Sequence, residues 1–145
     1  MTIRQAATFI ALLLTASIAG AQEKPAPVVK KVPIKQTSPT SGKEMFTQYC
    51  AVCHGADAKG GGPAAAALKT PPADLTTLAK RSEDGKFPRD RVANLLQKGA
   101  GLAAHGSSDM PIWGPLFKSL DPMHDIAVQQ RIKNLNDYLL SIQAK

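Results

Sequence analysis

Cys50-Ala51-Val52-Cys53-His54 sets two thiols three residues apart, with an imidazole directly after the second. That order can tie down a porphyrin. Each thiol adds across one vinyl group to form a thioether, and the adjacent His54 reaches the iron from one face. C-x-x-C-H is therefore read as the attachment pattern of a c-type haem. It uses both cysteines of the chain and one of its three histidines. A zinc site from Cys50, Cys53, His105 and His124 fails on spacing. Its histidines stand 19 apart, whereas finger-like sites have about three to five residues between them.

One axial ligand does not define a function. A carrier needs a second protein ligand, whereas a catalyst or gas sensor usually leaves that position open. The candidates are Met45, His105, Met110, Met123 and His124. Met45 precedes the thiols on the same helix and can hardly reach the opposite face. Met123 and His124 fall in the first turn expected of the last helix. Met110 stands in Ser108-Asp109-Met110-Pro111-Ile112-Trp113-Gly114, 56 residues after His54. Pro111 biases Met110 toward extended backbone and so directs the loop locally. The residues alone leave three readings open: Met110 as ligand, His105 as ligand, or Met110 as core filler.

The elements around these residues can be read from pattern. Residues 1–21 carry Arg4, an apolar run from Phe9 to Ile18 and Ala19-Gly20-Ala21, the order of a secretory signal peptide. The alternative is an uncleaved membrane anchor, but the segment is short against the ~20 apolar residues of a spanning helix. Export leads to an oxidising compartment, here the periplasm. Residues 22–40, with four prolines and four lysines, read as a Pro/Lys-rich linker. The domain is expected over 41–145. Ser41 and Glu44 fit a capping box, and Phe46, Cys50 and Cys53 share one face of the helix it opens. C-x-x-C thus ends a helix, where a redox dithiol would start one. Further helices are expected near Ala64–Lys69, from Asp74 to Lys80, and over Pro88–Lys98 with Gly99 as stop. Ala100–Leu120 reads as irregular. The last helix is expected to open at Asp121-Pro122. It carries Val128, Ile132, Leu135, Leu139 and Ile142 on one face, with Arg131, Lys133, Asn136 and Asp137 opposite.

Net charge is +7, and much of the excess lies in Gln22–Thr40. A solvated basic tail of this kind permits weak association with an acidic partner or an anionic membrane surface. No basic cluster with interleaved aromatics points to nucleic acid.

In order, Gly42-x-x-x-Phe46-x-x-x-Cys50-x-x-Cys53-His54-Gly55, Gly60-Gly61-Gly62-Pro63, Pro71-Pro72-Ala73-Asp74-Leu75, Met110-Pro111-x-Trp113-Gly114 and the final Tyr138-Leu139 helix span essentially the whole domain. This order resembles the class I monohaem cytochromes c, in particular the haem-bearing subunits of cbb3-type oxidases. The resemblance implies a mainly α, cytochrome c-like domain wrapped around one covalent haem c, with long loops and crossing first and last helices. Gly42 and Phe46 would then lie against Leu135, Tyr138 and Leu139. It also implies Met110 as sixth ligand, the Pro63 carbonyl as acceptor for the Nδ1–H of His54, and the Trp113 indole N–H as donor to a haem propionate. The expected function is a monomeric periplasmic one-electron carrier, not an enzyme, exchanging electrons with redox proteins. The Gly60–Ala67 loop, flanked by Lys59 and Lys69, is expected to rim the haem edge. The alternatives are an electron-entry subunit of a larger oxidoreductase and a haem sensor with a displaceable Met.

Overall fold

Ser41 starts the first helix by accepting the Glu44 N–H on its Oγ at 3.2 Å. The computed structural model describes residues 32–99 and 110–145. The capping box is only half formed, because the Glu44 carboxylate accepts from the N–H of Ser38 (3.2 Å). The helix then runs as α1 (Gly42–Met45), a π-helical turn (Phe46–Cys50) and α2 (Ala51–His54). The wider π turn rotates α2 about the helix axis relative to α1. Phe46 therefore turns to Tyr138, with ring centroids 5.3 Å apart, while Cys50 and Cys53 face a cavity on another side.

Next in the chain are two short 3₁₀ turns, Ala65–Ala67 and Leu75–Thr77. Then comes α3 (Arg89–Lys98), ended by Gly99 at φ 65°. A helix that the sequence pattern missed, α4, spans Trp113–Leu120. Gly114 and Pro115 read as breakers, but both fall in its first turn. There the amide that proline lacks would have no helical partner anyway. The last helix, α5 (Asp125–Ser141), begins later than expected. Asp121–Met123 instead form a turn closed by the His124 N–H on the Asp121 carbonyl. The domain is mainly α, with no strand among the described residues.

The core gathers Met45, Phe46, Phe117, Ile132 and Leu135 where α1, α4 and α5 meet. Arg131 and Asn136 depart from the expected polar face of α5, since both are buried. Asn136 Nδ2 donates to the Arg89 carbonyl at 2.8 Å. Arg131 donates to the side chain and the carbonyl of Thr37, both at 2.8 Å. The Asn134 amide donates to the Pro39 carbonyl (2.9 Å), and Gln36 to that of Leu120 (3.0 Å). Residues 34–39 are therefore fastened to the helices rather than hanging free as linker. Packing begins ahead of Ser41.

The α1–α5 crossing is set by Gly42. A Cβ there would lie 2.1 Å from the Asn134 carbonyl oxygen and 2.7 Å from Tyr138 Cβ. An ordinary Gly→Ala change inside a helix stabilises by roughly 0.5–1 kcal/mol. Here the sign reverses: Gly42→Ala is expected to destabilise by about 1–3 kcal/mol through overpacking, read as a lower denaturant midpoint of the mature protein.

Candidate functional site

Four carbonyls end α2, the short helix that carries Cys53 and His54, and each meets a donor from the next ten residues. Ala51 accepts from Gly55 N–H (2.9 Å), Val52 from Ala64 (2.9 Å), Cys53 from Gly62 (3.0 Å) and His54 from Gly60 (2.7 Å). Helix C-termini leave such carbonyls orphaned unless something caps them. Gly60 sits at φ +92°, and a Cβ on Gly62 would lie 2.5 Å from the Val52 carbonyl oxygen. The glycine loop thus caps the helix from beneath. It does not rim the cavity as expected; Leu68 and the Thr70–Ala73 stretch do that.

The cavity has a volume of ≈ 360 Å³, within the range of roughly 300–1,000 Å³ for cofactor sites. Cys50, Cys53 and His54 line one side. Met110, Pro111 and Trp113 also line it, and Leu75, Val92, Leu96, Leu135 and Leu139 contribute apolar wall. The two cysteines are not joined by a disulfide. Desolvation, and secondarily the Cys53 thiol beside it, pushes the Cys50 thiol up to about 12. A redox dithiol needs the opposite shift.

His54 Nδ1 lies 3.0 Å from the Ala73 carbonyl. A carbonyl only accepts, so Nδ1 carries the hydrogen and Nε2 is the lone-pair nitrogen of the neutral ring. The acceptor is therefore Ala73, not Pro63 as expected. Pro63 lies in the loop that caps the helix from beneath, whereas the Pro71-Pro72 stretch passes along the cavity. Asp74 then opens a 3₁₀ turn by accepting the N–H and hydroxyl of Thr76 (2.8 and 2.6 Å). The Thr76 bonds, chiefly, with Arg81 and Lys59 nearby, hold its carboxyl below the usual range. Gln143 pins the same segment from the C-terminus, donating to the Leu75 carbonyl (2.7 Å) and accepting from Ala79 N–H (2.9 Å).

The other sequence candidates separate cleanly. Met45 is fully buried in the core, Met123 is 83% exposed, and His124 is exposed with Nδ1 2.8 Å from Asp121. His105 and residues 108–109 of the Met110 loop lie outside the described residues. Trp113 stacks on Tyr49 at 5.5 Å. Its buried Nε1 has no hydrogen-bond partner among the described residues, which leaves a donor for an acidic group. Two thiols, one imidazole with fixed tautomer, one thioether, an apolar wall and an unmatched indole N–H fit a haem c with its carboxylate side groups.

The family described as cytochrome C oxidase, cbb3-type, subunit III matches residues 37–124. The chain belongs to this family. No curated protein and no solved structure matches it significantly. A cytochrome c domain of this family carries electrons on haem c, and the helical fold agrees with that membership.

In this cytochrome c domain the contributions of Tyr49 and Gln143 have no counterpart in the sequence motifs, and Ala73 stands in one without a role read for it. A backbone carbonyl such as that of Ala73 leaves no side-chain signature. The neighbouring Pro71-Pro72 is the available hint.

The glycine loop gives a paired test. A Cβ on Gly61 meets nothing within 4 Å. Gly62→Ala is expected to lower stability by about 1–3 kcal/mol and to reduce the haem-loaded fraction, whereas Gly61→Ala leaves both near wild type. Denaturant unfolding and haem absorbance per chain read the two effects.

Proposed function

We propose that this cytochrome c domain is an exported one-electron carrier with a single haem c, bound through Cys50 and Cys53 and ligated by His54 and Met110. The observation that carries the reading is that these four side chains line one cavity. The haem iron, when bound, supplies the one-electron couple Fe(II)/Fe(III). The chain does the rest. Cys50 and Cys53 hold the group through thioethers. The Ala73 carbonyl orients the His54 ring and raises its basicity. The soft thioether of Met110 favours the reduced state, as does an apolar wall that resists added positive charge. Trp113 Nε1–H offers its hydrogen to a propionate. With His54 and Met110 both holding the group, its set of protein ligands would change little between oxidation states. A substrate pocket is then unnecessary.

The N-terminal signal pattern supports export to the periplasm. Among the described residues no helix is long and apolar enough to cross a membrane. The family match favours a second setting for the same chemistry, as an electron-entry subunit of a larger oxidoreductase. Co-purification from solubilised membranes at stoichiometric ratio is expected in that setting; recovery of the soluble protein alone is expected of a free carrier.

Met110→Ala tests the ligation. The variant is expected to lose the red-end Met–Fe(III) absorbance band and to bind CO rapidly when reduced. Its reduction potential should fall by on the order of 0.1 V, within the roughly 0.8 V over which axial ligands tune haem. An unchanged spectrum would move the sixth ligand elsewhere, with His105 next in line.

A further inference from the structure

Arg131 is a buried cation. It is 3% exposed, and no carboxylate pairs with it among the described residues. Its Nη1 and Nη2 donate to Thr37 Oγ1 and to the Thr37 carbonyl at 2.8 Å each. Its Nε has no partner among the described residues, and its charge sits 5.9 Å from the Phe117 ring centroid.

The hydrogen-bond directions beyond it are fixed. Thr37 Oγ1 accepts from Arg131, so its hydroxyl hydrogen is left for Tyr49 Oη, 2.8 Å away. Tyr49 in turn donates to the Lys35 carbonyl at 2.5 Å. Every donor in this relay points away from the guanidinium, and each bond polarises the next. Tyr49 also lines the haem cavity and stacks on Trp113. A full positive charge is thus held behind Tyr49 of the cavity wall, inside protein where salt screens it poorly.

We propose that Arg131 is a positioning residue for the redox centre. It is a fixed internal charge, held by Thr37 behind Tyr49 of the cavity wall, that favours the reduced state of the group in the cavity by its field. The inference rests on the haem reading above. A merely structural Arg131 would tie residues 34–39 to α5 and leave the electron affinity of the cavity untouched. At an effective dielectric of about 20, a unit charge shifts an ionic equilibrium by on the order of tenfold where the separation is about 10 Å.

The test is a redox titration of haem-loaded wild type, Arg131→Met, Arg131→Lys and Thr37→Val, with absorbance spectra confirming unchanged ligation. Arg131→Met removes the charge at similar volume. Its Fe(II)/Fe(III) equilibrium is expected to move about tenfold toward the oxidised form, equivalent to about 59 mV for one electron, and to do so equally at high salt. Thr37→Val cuts the hydrogen bonds but keeps the charge, and Arg131→Lys keeps the charge on a different head. Each is expected to shift the equilibrium less than threefold. Where Arg131→Met fails to fold, Arg131→Gln removes the charge in its place with the same expected shift, and a tenfold shift in the Lys or Val variant overturns the charge reading. A potential for Arg131→Met equal to wild type also overturns it. Wild-type protein without haem absorbance would instead overturn the haem reading itself.

Discussion

The cavity depends on how one short helix ends. Ala51–His54 expose four carbonyls, and the chain must satisfy all of them within the next ten residues. That demand folds Gly55–Ala64 tightly under the helix, at spacings only glycine permits. It fixes the direction in which the chain leaves, and so lets the Pro71–Asp74 stretch return along the cavity with the Ala73 carbonyl at His54. The thiols, the imidazole and the partner that orients it are held by one continuous set of backbone hydrogen bonds. Side-chain packing then only has to close the cavity around them.

Closure comes from distant parts of the chain. α5 crosses α1 at Gly42 and presents Leu135 and Leu139 to the cavity. Gln143, just past the end of α5, clamps the Leu75–Ala79 segment. On the other side α4 brings Trp113 and Phe117 against Tyr49. Long loops are uncommon in a small helical domain. These ones are tied down at Asp74, Ala73 and Gln143, and Leu68, Leu75 and Leu78 line the cavity. A bound haem c would serve as the missing part of that core.

The chemistry is more legible in the sequence than the scaffold. Cys50, Cys53 and His54 announce themselves by type and spacing, and Met110-Pro111 needs only family order to stand out. α3 is visible from its apolar face and its Gly99 stop. α4 is hidden because Gly114 and Pro115 break helices in general, though not in a first turn. Arg131 and Asn136 look like solvent-face residues because charge and polarity outweigh position in a pattern. The structure buries both by giving them backbone and hydroxyl acceptors from Thr37 and Arg89. Pro63 and Ala73 illustrate the deeper limit. A carbonyl acceptor is chosen by backbone path, and sequence records that path only indirectly.

Spectroelectrochemistry of the matured protein tests the central claim most directly, because it reports haem count, ligation and reversibility together. A closed His54/Met110 carrier predicts a single reversible one-electron wave and a six-coordinate, low-spin spectrum in both oxidation states. Two waves, or a five-coordinate spectrum in either state, would contradict it.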